Sequence, residues 1–350
     1  MNHAGQRNRR RVSARAALAA LGLATASAVV TSPEAHAAID PYYALAGNFA
    51  GDFREEVFVY RPGGAQDFLL RFGDNGQGLI TAFTTFNVNG SYDPVVGDFD
   101  ADPYDEILWY APGAAADVMW SFTSFTTVTG RALTVSGFYD PVAGDFNGDG
   151  YDDVFWYGPG TAPDRIWFYS AFGPVSRTAV VNGVYRPVVG SFGKDATDDI
   201  YWYAPGAAPD SLWDFTRGSG VPTSKALAAG GNYRPFSVDF FNEGWRGEDI
   251  FFYDPAAADK LWDFYLGGLY SGNLPQQVTE AFVPASGDYL VDGFEDVLWL
   301  RANGTWMFWD SNGCNATHCF WQVHQSAGPA AAGAAQTAAA VGSVSIDTDA

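Results

Sequence analysis

The stretch Ser136–Tyr169, SGFYDPVAGDFNGDGYDDVFWYGPGTAPDRIWFY, decides the fold, because the chain repeats it. A close copy precedes it at Gly90–Phe122, GSYDPVVGDFDADPYDEILWYAPGAAADVMWSF, and another follows at Asn182–Phe215, NGVYRPVVGSFGKDATDDIYWYAPGAAPDSLWDF. Weaker copies lie on either side. Anchoring on a Gly/Val-Asp/Asn/Ser-aromatic triplet gives Gly47-Asn48-Phe49, Gly97-Asp98-Phe99, Gly144-Asp145-Phe146, Gly190-Ser191-Phe192, Val238-Asp239-Phe240 and Gly287-Asp288-Tyr289, in steps of 50, 47, 46, 48 and 49 residues. A fixed period of this size marks a chain built from one supersecondary unit that buries its faces against its neighbours.

Each unit reads as strand, acidic loop, strand, Pro-Gly turn, strand, loop, strand. In the second unit Val95-Val96 leads into the loop, Ile107-Leu108-Trp109-Tyr110 is a short apolar run, Ala111-Pro112-Gly113 turns, Val118-Met119-Trp120 opens the third strand and Ala132–Val135 forms the fourth. The second strand is apolar on consecutive residues, the pattern of a strand covered on both faces. Four short strands per unit, in sheets packed on both sides, predict an all-β propeller. Six units over residues 42–325 predict six four-stranded blades; seven would need a blade built from the termini. The Ala/Gly-rich residues 326–350 are expected to form a disordered tail.

Residues 1–37 carry a basic start (Arg7, Arg9, Arg10, Arg11, Arg15), an apolar run Ala16–Val30 and the cleavage-site pattern Ala35-His36-Ala37, which together predict an export signal. The Arg9-Arg10-Arg11 run leaves both the Sec and the twin-arginine routes open. The whole chain holds 19 basic and 40 acidic residues; without the five Arg and one Glu of the signal, 14 and 39 remain, a net charge of −25. That charge opposes nucleic acid and anionic lipid and favours cations. After the signal, no apolar run approaches the roughly 18 residues needed to span a membrane. The expectation is a secreted, extracellular monomer.

The loop of the third unit reads Asp145-Phe146-Asn147-Gly148-Asp149-Gly150-Tyr151-Asp152-Asp153. Oxygen donors at alternate positions with a Gly at position six suit calcium, a hard ion that takes six to eight oxygens. The predicted ligands are Asp145, Asn147, Asp149, the Tyr151 carbonyl and Asp153. An EF-hand is excluded: position twelve is Trp156 and the flanks are strands. The loop resembles the FG-GAP or VCBS repeat, and that resemblance, covering six repeats, implies a calcium-binding propeller blade. The second unit offers Asp98, Asp100, Asp102 and Glu106, with Pro103 in place of the Gly. The sixth offers Asp288, Asp292 and Asp296, with Leu290 at position three. Units one (Asn48, Ala50, Asp52, Glu56), four (Ser191, Gly193, Asp195, Asp199) and five have lost carboxylates or carry insertions, and weak or no calcium binding is expected there. Every loop nonetheless ends in two acids, from Glu55-Glu56 to Glu295-Asp296, which implies that at least one of the pair serves the backbone whether or not metal is bound.

Trp109-Tyr110, Trp156-Tyr157 and Trp202-Tyr203 recur on the second strands, and Phe68, Trp120, Trp167, Trp213, Trp262 and Trp306 on the third. They read either as filling between blades or as stacking platforms for sugar rings. Asp67, Asp117, Asp164, Asp210 and Asp259 follow the turns and read as turn-stabilising side chains. Cys314 and Cys319 predict a disulfide in the last hairpin of an exported chain. Only His318 and His324 survive removal of the signal, and no G-x-S-x-G, H-E-x-x-H or phosphate loop occurs. The expected function is a calcium-stabilised binding module for carbohydrate or a surface protein. The alternative is a polysaccharide lyase or glycoside hydrolase using a carboxylate pair.

Overall fold

The structure, a computed structural model, describes residues 42–73, 80–113, 116–193, 195–240, 247–264, 270–273, 278–314, 318–325 and 339–347. The strands form six antiparallel sheets, each a meander in chain order. Blade two shows the plan: Asp93–Gly97, Glu106–Tyr110, Asp117–Ser124 and Thr127–Leu133 pair in succession, with Gly97 opposite Glu106 and Ile107 opposite Trp120. The first strands of successive blades touch one another, and that of blade six (Val283–Gly287) touches that of blade one (Tyr43–Gly47). The first strands therefore ring the axis, and six blades close the circle. The export signal lies outside the described residues. No helix among the described residues is long and apolar enough to cross a membrane.

The second strands explain why the sequence folds this way. All six are buried at every residue, from Glu56–Tyr60 to Asp296–Leu300, so consecutive apolar side chains point into two blade interfaces at once. Their aromatic rings interlock across blades: Tyr60 meets Trp109 edge to face at 4.9 Å, Tyr110 meets Trp156 edge to face at 5.2 Å and Tyr157 meets Trp202 in a tilted contact at 5.0 Å. Closure uses the same means. Val57, Leu70 and Phe72 of blade one share a core with Val283, Leu298 and Trp306 of blade six.

Polar stitches repeat at each blade. In blades one to five the Asp after the proline-containing turn accepts two backbone N–H bonds: Asp117 takes Ala111 N at 2.8 Å and Val135 N at 2.7 Å, and Asp67, Asp164, Asp210 and Asp259 do the same. The turn-stabilising reading of these residues holds. The first acid of each terminal pair reaches the preceding blade. Asp105 accepts from Asn48 N at 2.8 Å, Asp152 from Asp98 N at 2.9 Å and Asp198 from Asp145 N at 2.9 Å. Glu55 closes the ring, its Oε2 lying against Gly287 of blade six. The acid pair persists because its first member welds blades together.

Three expectations change. The fourth strand of blade two runs Thr127–Leu133 and not Ala132–Val135: the chain turns at Phe125-Thr126, and Val135 is the residue anchored by Asp117. By register, Leu70 and Trp309 occupy the third-strand position of Trp120, so Phe68 and Trp306 are not its equivalents. Residues 339–347, expected within a disordered tail, form a fifth strand on blade six, paired with His318–Gln325. Val344 and Ile346 alternate there with Ser343 and Ser345, a strand periodicity hidden by the Ala/Gly-rich run before it. The register sets Cys314 opposite Cys319; the predicted disulfide concerns side chains outside those described.

Candidate functional site

The acidic loops differ in geometry despite their common pattern. In blade three the Asp145 carboxylate is consumed locally: Oδ1 accepts from Gly148 N at 2.8 Å and Asp149 N at 3.1 Å, and Oδ2 from Gly150 N at 2.8 Å. Asp149 caps Tyr151 N at 3.0 Å, and Asn147 Nδ2 donates to Asp153 Oδ2 at 3.4 Å. Blade four clasps this loop as well, through Gly218 N to the Asn147 carbonyl at 2.6 Å and Arg217 Nε to the Gly148 carbonyl at 3.2 Å. Gly150 has φ of 95°, as position six was expected to require. Position four is left-handed too, with φ of 71° at Gly148 but 62° at Ala101 and 60° at Val291, where the β-branched side chain makes that conformation costly.

The carboxylates that converge belong to blade two. Asp98, Asp100 and Glu106 hold ligand oxygens within 4.8 Å of one another. Pro103 has no N–H with which to cap Asp98 as Gly150 caps Asp145. Asp102 turns aside to accept Tyr104 N at 2.7 Å. Glu106 is 1% exposed; its Oε2 accepts Phe99 N at 2.9 Å, and Oε1 has no partner among the described residues. Burial, with Asp100, Asp105 and Asp102 as like charges, pushes the Glu106 carboxyl up to about 10. Burial likewise pushes Asp153 up to about 9, Asp199 to about 8, and Asp145 and Asp288 to about 6. In blade six Asp288 accepts Asp292 N at 3.1 Å and Gly293 N at 3.2 Å, while Asp296 is wholly buried and its Oδ2 has no hydrogen-bond partner among the described residues. Oxygen-only donor sets with orphaned buried oxygens fit a hard divalent cation.

Blade one solves the same problem from within. Arg71, on its third strand, places Nη2 at 2.7 Å from Glu56 Oε1 and Nη1 at 3.1 Å from Asp52 Oδ2. Its guanidinium stands between loop positions five and nine, and burial raises Glu56 only to about 7 against that opposing charge.

The paired aromatics of the second strands are interior. Trp109, Trp156 and Trp202 are 1% exposed and Tyr110, Tyr157 and Tyr203 are fully buried, so none offers a free face as a sugar platform. The tyrosines instead link blades: Tyr110 Oη donates to the Gly137 carbonyl at 2.8 Å and accepts Tyr139 N at 3.2 Å. Of the third-strand rings, Phe68, Trp262 and Trp306 are buried, while Trp120, Trp167 and Trp213 are half-buried and more accessible. Trp167 packs on Trp156 at 5.1 Å and, with Tyr139, Arg165, Thr134 and Ser176, lines a cleft of about 420 Å³ between blades two and three. A second cleft of about 240 Å³ holds Asp100, Glu106, Arg131, Ser121 and Tyr169 and shares Pro174 with the first. The carboxylate cluster therefore opens beside the aromatic cleft.

Near the axis, Tyr43 Oη donates to Asp93 Oδ1 at 3.2 Å, and burial followed by the charge of Asp93 pushes Asp140 up to about 6. Arg71 and Arg165 carry no repeat signature, so pattern alone does not single them out, whereas Asp93 and Asp140 share the repeated Tyr-Asp-Pro-Val start of the first strand.

No protein-family model and no curated protein matches the chain. Among solved structures it resembles a lectin of Agrocybe aegerita, described as specifically recognising non-reducing terminal N-acetylglucosamine. The TM-score is 0.54 at 13% identity, over 89% of this chain and 81% of that one. At that identity the likeness concerns the fold, a propeller.

Proposed function

We propose that the chain is an exported carbohydrate-binding propeller whose acidic loops take calcium, as the FG-GAP/VCBS-like pattern implies. One observation carries the binding reading: the cleft between blades two and three joins aromatic rings, Trp167 and Tyr139, to the polar groups of Arg165, Ser176 and Thr134. Such a mixture suits a sugar, whose ring has an apolar face and a hydroxyl rim. The lectin likeness in fold supports the same class of ligand. Calcium at Asp98, Asp100 and Glu106 would lie in the neighbouring cleft and hold its loop rigid. The partner is a glycan, not a nucleic acid, because a strongly acidic chain repels phosphate.

The test is a glycan array followed by calorimetric titration of its strongest hit, with non-reducing terminal N-acetylglucosamine included. Trp167→Ala and Arg165→Ala are expected to weaken binding at least about tenfold; the exposed Arg165→Ala should melt near the parent, whereas Trp167→Ala also loses its packing on Trp156 and should melt lower. Unaltered affinity in both variants, or no glycan bound at all, would contradict the reading. The lyase or hydrolase alternative rests on the axial pair Asp93 and Asp140 with Tyr43. It would be supported by new reducing ends or unsaturated products that vanish in Asp140→Asn.

A further inference from the structure

One third-strand position governs the loops. By register the residue opposite each terminal loop acid is Arg71 in blade one, Ser121 in blade two, Phe168 in blade three, Asp214 in blade four, Asp263 in blade five and Asp310 in blade six. Directly opposed residues on antiparallel strands point to one face with Cβ atoms about 5 Å apart, and like charges there repel. Blade one shows where a long side chain from this position goes: between loop positions five and nine, with contacts of 3.1 Å and 2.7 Å to Asp52 and Glu56.

Blade four places an acid there, opposite Asp199. Position three of its loop is Gly193, and a Cβ on that glycine would meet Asp199 Oδ2 at 3.0 Å and Asp214 Oδ1 at 3.3 Å. Both oxygens thus line the void that the Asp100 side chain would fill if blade four followed blade two. Asp199 is fully buried; its Oδ1 accepts Phe215 N at 2.8 Å, and its Oδ2, aimed into this void, has no partner among the described residues. Asp195, at position five, lies on the same loop and accepts from Thr197 N at 3.0 Å through Oδ1. Lys225, across the third and fourth strands, makes no ion pair with Asp214 among the described residues. A buried carboxylate with an orphaned oxygen and a second acid facing it requires a proton or a cation.

We propose that blade four, whose loop has lost its first and third carboxylates, holds a divalent cation of the calcium class between Asp199 and Asp214. The ligand lost from the loop is replaced from the third strand. Blades five and six share the arrangement, with Asp249 opposite Asp263 and Asp296 opposite Asp310. This site is separate from the blade-two cluster and does not depend on glycan binding.

Native mass spectrometry of the full-length chain with calcium as the probe counts the ions. Asp214→Asn is expected to retain one ion fewer than the parent, and Asp214→Ser, which restores the blade-two residue, should behave alike. Glu106→Gln serves as the control for the blade-two cluster and should remove a different ion, so that Asp214→Asn with Glu106→Gln loses two. Melting of each variant free of metal confirms that it folds. An unchanged count in folded Asp214→Asn, alongside a loss in Glu106→Gln, overturns the blade-four site and leaves the loop reading standing. A parent that binds no calcium overturns both.

Discussion

Blades one and two start from the same loop and differ in what faces its terminal acid. In blade one Arg71 supplies a fixed guanidinium to Glu56 and Asp52 at 2.7 and 3.1 Å. In blade two Ser121 stands opposite Glu106, and the ligand oxygens of Asp98, Asp100 and Glu106 gather within 4.8 Å of one another. The contrast teaches that burying the terminal acid belongs to the propeller itself, because it begins the buried second strand. What balances its charge is left to one residue on the next strand.

The largest effect is expected from breaking the blade-one solution. Arg71→Ala strands a Glu56 that is fully buried, and removing one partner of a buried pair typically costs about 3 kcal/mol or more. Urea unfolding should show that loss in calcium and in chelator alike, because the loop offers too few carboxylates to recruit metal. Full rescue by calcium would break the distinction between the blades.

pH sharpens it next. A carboxyl whose folded-state pKa lies above its unfolded value stabilises the fold while protonated, and that contribution is lost as pH rises through the folded value. Glu106 moves from 4.5 to about 10, Asp153 from 3.8 to about 9 and Asp199 from 3.8 to about 8. The metal-free chain should therefore lose melting temperature steadily from about pH 4 to about pH 10. With calcium bound, the carboxylates are neutralised by the ion and the decline should be smaller, since metal competes with protons. Parallel profiles with and without calcium would contradict this.

A smaller change is expected of Glu106→Gln. The amide keeps the shape and removes the buried charge, so the metal-free variant at pH 8 should be more stable than the parent by on the order of 1 kcal/mol. Its gain on adding calcium should be smaller than the parent's. A variant equally responsive to calcium would place the ion elsewhere.

The fold was legible because a repeat reports its own boundaries: six triplets at near-constant spacing gave six blades, and the buried second strands followed from consecutive apolar residues. The Asp after each turn was legible for the same reason. The site was legible only in part. The loop pattern singled out Asp98, Asp100 and Glu106 as candidates and ranked the complete Asp145–Asp153 loop first. In the structure Gly150 offers an N–H to Asp145 and Pro103 offers none to Asp98, a backbone difference that a pattern of carboxylates does not contain. Arg71, Asp214 and Asp310 lie one residue past the third-strand anchor, and their role depends on cross-strand register, which a linear pattern does not contain. The paired Trp-Tyr motif was common to all readings, and only burial separates filling from platform.

The most direct test of the central claim, that these loops hold a cation which blade one provides for itself, is thermal unfolding of the parent chain with calcium and with chelator at pH 7.5. A ligand at a hundred times its dissociation constant stabilises the folded state by about 2.7 kcal/mol, and a chain of this size should melt about 5 °C higher with calcium. Identical melting temperatures in the two conditions would contradict the account.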